Sequence, residues 1–120
     1  MPRVFHFDLY VKDAQRAGKF YTEAFDWKIE KWDGPMDYWL ISTGPEDEPG
    51  IDGGFGIGDN SNKSGELTLN VTDVKAACTK AKAAGGKLLQ EAHEVPGIGL
   101  LAVVEDTEGN SFGLMQLISD

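Results

Sequence analysis

The chain has 120 residues, of which 41% are hydrophobic and 26% charged, with a formal net charge of −9; that suits one globular domain with a real core. So acidic a surface is repelled by a phosphate backbone, which argues against nucleic acid as a partner. No apolar run of about 18 residues is present, so no membrane span is expected.

The start, MPRVFHFDLYVKD, lacks the continuous apolar stretch of a signal peptide. The single cysteine, Cys78, cannot form an intramolecular disulfide. Both features lead to the expectation of a cytoplasmic protein.

Residues 4–11 alternate, with Phe5, Phe7, Leu9 and Val11 on one face and His6, Asp8 and Tyr10 on the other. Period two predicts a half-buried strand. Asp13 then stands where a carboxylate can accept the first free N–H groups of a helix. Ala14, Ala17, Phe20, Tyr21, Ala24 and Phe25 follow at helical spacing, and the three aromatics are expected in the core. Strands are predicted at 27–31 and 38–43, separated by the turn Gly34-Pro35. The stretch TGPEDEPGIDGG reads as an exposed loop and 55–58 as a short strand. The polar run DNSNKSG, about 59–65, reads as a linker.

The second half begins again. Residues 66–71 alternate Leu67, Leu69 and Val71 against Glu66, Thr68 and Asn70. Asp73 is the next N-cap, and Val74, Ala77, Cys78, Ala81 and Ala84 form a helical stripe that Gly85-Gly86 ends. Strands follow at 87–91, 99–105 and 111–117. Each half thus reads β-α-β-β-β. Positions 7, 11, 13 and 27 map onto 67, 71, 73 and 87 at a constant offset of 60. Phe55-Gly56-Ile57 resembles Phe112-Gly113-Leu114 at an offset of 57. Duplication accounts for this better than chance, giving a single domain over 1–120 with internal modules at about 1–59 and 64–120.

The polar faces of the two first strands suit a concave, partly wet cavity. His6 and Glu66 are symmetry mates in this scheme and would enter it from opposite halves. Both residue types can bind a divalent metal, but a catalytic site normally takes at least three protein ligands. Trp39 lies beside Tyr38 and Leu40 in a strand, so one of these aromatics faces the cavity and could wall a flat organic ligand. His93 sits among polar residues and is expected at the surface. Cys78 is expected to be a buried, inert thiol.

Together these residues resemble the vicinal oxygen chelate superfamily. The resemblance rests on H-F-D-L-Y-V-K-D, L-T-L-N-V-T-D-V, A-G-G-K and E-D-T-E-G-N-S-F-G-L, and runs from Val4 to Gln116. The group includes glyoxalase I, extradiol dioxygenases, methylmalonyl-CoA epimerase and the fosfomycin- and bleomycin-resistance proteins. It implies an α+β fold of two tandem βαβββ modules forming a curved mixed sheet around a cavity, helices outside, commonly in a homodimer.

Where members hold a metal, it is bound from the first and last strands of each module. Carried over, the first-strand positions are His6 and Glu66. The last-strand positions fall at Gly113 and about Gly56, with Asp52 and Asp59 as the nearest acids to the latter. Glycine cannot coordinate, so the resemblance implies a partial metal site. A glyoxalase-type reaction needs a Lewis acid for its enediolate and a carboxylate base. A dioxygenase needs two histidines and a carboxylate on iron, so a lyase or isomerase is favoured over it.

The first expectation is a protein that binds a small organic molecule in a cup, using His6, Asp8, Tyr10, Trp39, Glu66, Thr68, Asn70 and Met115, without a confidently placed cofactor. The alternatives are an enzyme of the same superfamily with a divalent metal on His6, Glu66 and ligands from elsewhere, and a non-catalytic interaction domain.

Overall fold

A computed structural model describes residues 2–58 and 65–118. Its elements are β1 (Arg3–Val11), α1 (Ala14–Phe25), β2 (Lys28–Lys31), β3 (Tyr38–Ser42) and β4 (Asp52–Ile57), then β5 (Glu66–Asn70), α2 (Val74–Ala83), β6 (Lys87–Val95), β7 (Gly99–Glu105) and β8 (Ser111–Leu117). The class is α+β, and the order is βαβββ twice. The chain divides into two compact units, His6–Gly65 and Met1–Phe5 with Glu66–Asp120. The first three residues of β1 therefore group with the second half. Of the expected linker at 59–65, all but Gly65 lies outside the described residues, as does Asp59.

In the first unit the strand order is β2-β3-β4-β1. β1 runs parallel to β4, while β3 is antiparallel to both β4 and β2. The parallel pair requires a long crossover, and α1, β2 and β3 provide it. Asp13 caps α1 by accepting from the Arg16 amide at 3.0 Å. The helix ends at Asp26, whose φ of 60° is left-handed. It packs near the sheet at the buried Gly18, where an added Cβ would lie 3.5 Å from Ile29 Cγ2.

The core of this unit is aromatic. Phe55, fully buried, stacks on Trp39 with ring centroids 5.4 Å apart and meets Tyr21 of α1 at 5.9 Å. Phe7 meets Trp27 at 6.1 Å. Phe20 and Phe25 do not join this core, contrary to the helical-stripe expectation: they are 57% and 51% exposed. They pack edge-on to each other at 5.6 Å, and Phe25 lies against Trp27 at 5.0 Å.

β4 begins three residues before the predicted strand. Gly53 and Gly54, expected in the loop, pair with Phe7 and Asp8. Each is needed for close approach rather than for a turn. A Cβ at Gly53 would strike the Phe7 carbonyl and ring, and one at Gly54 would strike the Tyr38 hydroxyl.

The second unit repeats the topology as β5-β8-β7-β6, with β5 parallel to β8. Asp73 caps α2 through the Ala76 amide at 3.1 Å, and Gln116 Oε1 accepts from the Val74 amide at 2.9 Å. This core is aliphatic: Val71, Val74, Cys78, Ala102, Val104 and Leu114. β6 runs four residues past its predicted end, with two irregularities in its pairing to β7. It carries His93, which is exposed as expected. Among the described residues no helix is long and apolar enough to cross a membrane.

Candidate functional site

Residues paired directly across neighbouring strands point to the same face. In the first unit, Leu9, Phe55 and Trp39 form one such row, on the side that meets α1. The adjacent rows hold Asp8, Gly54 and Leu40, and Tyr10, Gly56 and Tyr38, on the opposite face. Trp39 is therefore a core residue beneath the helix, with Lys31 Nζ 5.4 Å from its ring, and not part of a polar binding face. Tyr38, the other aromatic of that strand, takes the place expected of Trp39.

Tyr38 organises the polar face. Its hydroxyl donates to Asp8 Oδ1 at 2.5 Å and lies 2.7 Å from His6 Nε2. His6 Nε2 is itself 3.4 Å from Asp8 Oδ1. Trp32 holds the Tyr38 ring edge-on at 6.2 Å, and the Trp32 amide donates to the Tyr38 carbonyl at 2.8 Å. Burial pushes the phenol well above its ordinary pKa, and the Asp8 carboxylate raises it further. Tyr38 thus keeps its proton at neutral pH and shares it with Asp8 in a hydrogen bond. A hydroxyl has one proton, so with Asp8 a carboxylate the hydrogen bonds run from His6 Nε2–H to the Tyr38 oxygen and from the Tyr38 hydroxyl to Asp8. The His6 and Asp8 side chains remain 29% and 20% exposed, open enough to meet a ligand. Tyr10 lies on the same face but is 40% exposed. It lines a separate cleft of about 470 Å³ with Lys12, Asp13, Arg16, Phe20 and Tyr21.

In the second unit, Thr68 pairs with Gly113 and Asn70 with Met115. Thr68 is buried, with 4% exposure, Glu66 and Met115 are half-buried, and Asn70 is exposed. A Cβ on Gly113 would lie 2.9 Å from Thr68 Oγ1 and 3.4 Å from Leu101 Cδ1.

These registers correct one sequence assignment. Thr68 faces Gly113, and its mate 60 residues earlier, Asp8, faces Gly54. The counterpart of Gly113 is therefore Gly54, not Gly56, which pairs two residues further on with Tyr10 and Tyr38. By the same count the counterpart of Leu114 is Phe55, and both are buried. The shared Phe-Gly dipeptide that suggested the offset of 57 is a coincidence of composition.

The residues present do not make a metal centre of the kind the resemblance implies. Neither Gly54 nor Gly113 has a donor, and neighbours fill the space a side chain there would need. Asp52, the nearest acid along the strand, accepts from the Thr43 amide at 2.8 Å. Among the described residues no three His, Cys, Asp or Glu side chains group closely enough to hold an ion, against the three protein ligands a catalytic metal normally takes.

The comparisons with known proteins agree with the fold. The chain is 29% identical to the lactoylglutathione lyase of Salmonella typhimurium over 95% of this chain and 92% of that protein. It is 28% identical to a probable lactoylglutathione lyase of Vibrio parahaemolyticus, over 95% and 90%. Among solved structures, methylmalonyl-CoA epimerase from Mycobacterium tuberculosis superposes with a TM-score of 0.71 at 17% identity, covering 97% of this chain and 88% of that one. A superfamily member from Vibrio splendidus gives 0.66 at 14% identity, over 95% and 97%. The family profile matches residues 3–114, so the chain belongs to the Glyoxalase/Bleomycin resistance protein/Dioxygenase superfamily.

Proposed function

We propose that the protein binds a small organic molecule in the manner of the glyoxalase and bleomycin-resistance members of its superfamily, with an incomplete metal site. The observation that carries this reading is the ordered His6–Tyr38–Asp8 chain on a half-buried sheet face. A strand face that merely met water would not need three side chains held in one donor sequence. Thr68, Asn70 and Met115 offer the corresponding contacts in the second unit. Self-association into a homodimer and a cytoplasmic location belong to the same reading.

Scanning fluorimetry after chelator treatment tests it, with a panel of glutathione conjugates, acyl thioesters and planar aromatic acids. A ligand at 100 times its dissociation constant stabilises a fold by about 2.7 kcal/mol, which raises the melting temperature by several degrees. The expected result is a saturable rise without added metal that His6→Ala and Asp8→Asn diminish. Stabilisation by no compound unless metal is supplied would overturn it. Light scattering checks the dimer.

The 29% identity to a lactoylglutathione lyase over nearly the whole chain favours a second reading, a metal-dependent lyase or isomerase. His6 and Glu66 would then be ligands and the remaining donors would come from Asp8, a partner chain or substrate oxygen. Metal analysis of protein purified with added nickel, zinc, manganese or iron decides between the two. One equivalent of metal, absent from His6→Ala, would place the enzymatic reading first.

A further inference from the structure

We infer that Tyr38 stands in for the metal ion in the first unit: its hydroxyl joins the first-strand donors His6 and Asp8, and its ring occupies the room that a last-strand ligand at position 54 would need. The inference deepens the metal-independent reading above and rests on it.

Two observations converge. A Cβ built on Gly54 would fall onto the Tyr38 hydroxyl and the ring carbons beside it, so a carboxylate side chain at 54 requires this ring to leave its place. The Tyr38 oxygen lies 2.7 Å from His6 Nε2 and 2.5 Å from Asp8 Oδ1, so it uses the same donor atoms a cation would. The hydroxyl therefore engages by hydrogen bonds the two side chains that a cation would otherwise bind. Trp32 against the Tyr38 ring keeps it from swinging out.

The sequence offers one clean probe, since His6 and His93 are the only histidines. Nitrogen-15 NMR at pH 7.5 should show His6 as the Nε2–H tautomer in the wild type. In Tyr38→Phe, which keeps the ring and removes the hydroxyl, the His6 signals should move while those of His93 stay. Calorimetry with nickel, zinc or manganese alone should show no His6-dependent binding to the wild type. The double variant Tyr38→Ala/Gly54→Glu frees the space and adds a carboxylate beside His6 and Asp8. It should bind nickel or zinc at least tenfold more tightly than the wild type, and a further His6→Ala change should abolish that gain. One equivalent of metal on the wild type that His6→Ala removes would overturn the inference, as would a double variant that keeps its native circular dichroism and gains nothing. If the double variant fails to fold, the NMR comparison decides alone: His6 signals unchanged by Tyr38→Phe would refute the role of the hydroxyl. None of these outcomes depends on finding an organic ligand, so failure of the binding reading and failure of this one are distinguishable.

Discussion

A single hydroxyl can tie together the polar groups of a whole sheet face. Tyr38 is such a residue, and nothing in the spacing of the sequence singled it out. Alternation showed that either Tyr38 or its neighbour Trp39 faced the polar side, but parity alone cannot say which. The decision comes from pairing with β4, which puts Trp39 on Phe55 beneath the helix. Cys78, by contrast, was legible: it lies on the apolar stripe of α2 and is buried among Val71, Val74 and Ala102. Burial pushes its thiol up, offset in part by Lys82. Alkylation by iodoacetamide at pH 8 should therefore be at least ~100-fold slower in native protein than in urea, since access requires opening a core segment at a cost of about 3 kcal/mol or more. Rates within tenfold of each other would show that α2 opens freely.

At the level of elements, the strands and helices that carry a period were readable and those built on glycine were not. β1 and β5 alternate at period 2, α1 and α2 carry apolar residues at helical spacing behind Asp caps, and β7 is a continuous apolar run. The start of β4 is Asp52-Gly53-Gly54, which shows no period because the neighbouring strand and Tyr38 fill the positions where side chains would be. The same blindness displaced the counterpart of Gly113 by two residues. Turns were better marked. In the β7–β8 turn, Asp106 accepts from the Glu108 and Asn110 amides, each at 2.8 Å, and from the Asn110 side chain at 2.9 Å. These bonds favour the carboxylate and hold its pKa below the ordinary Asp value. The folded pKa is lower than the unfolded one, so the turn's stabilisation is complete above the unfolded value and is lost as pH falls through the folded one. Amide exchange at Glu108 and Asn110, corrected for intrinsic rates, should accelerate below about pH 4. Asp106→Asn should remove that acid-side step, and an identical profile in the variant would assign the protection to the strands instead.

Across the whole molecule, the two units share one topology but fill their cores with different chemistry. The first unit relies on stacked rings around Phe55, and the second on branched aliphatics around Val74 and Leu114. Phe55 and Leu114 hold equivalent positions in the two repeats, and each is nearly inaccessible, at 0% and 5% exposure. Truncating a buried Phe to Ala typically costs about 3–5 kcal/mol and a Leu to Ala about 2–5, against a total stability of about 5–15 kcal/mol for a domain. Phe55→Ala should cost at least as much as Leu114→Ala, because it removes a ring that two others pack on. Urea titration followed by circular dichroism measures both. All three tryptophans, Trp27, Trp32 and Trp39, lie in the first unit, so native tryptophan emission adds a local reading. Phe55→Ala should shift that emission even before unfolding, by unstacking Trp39, whereas Leu114→Ala should leave it unchanged. A loss under 1 kcal/mol in Phe55→Ala with unaltered emission would mean that the aromatic stack is not the core of its unit.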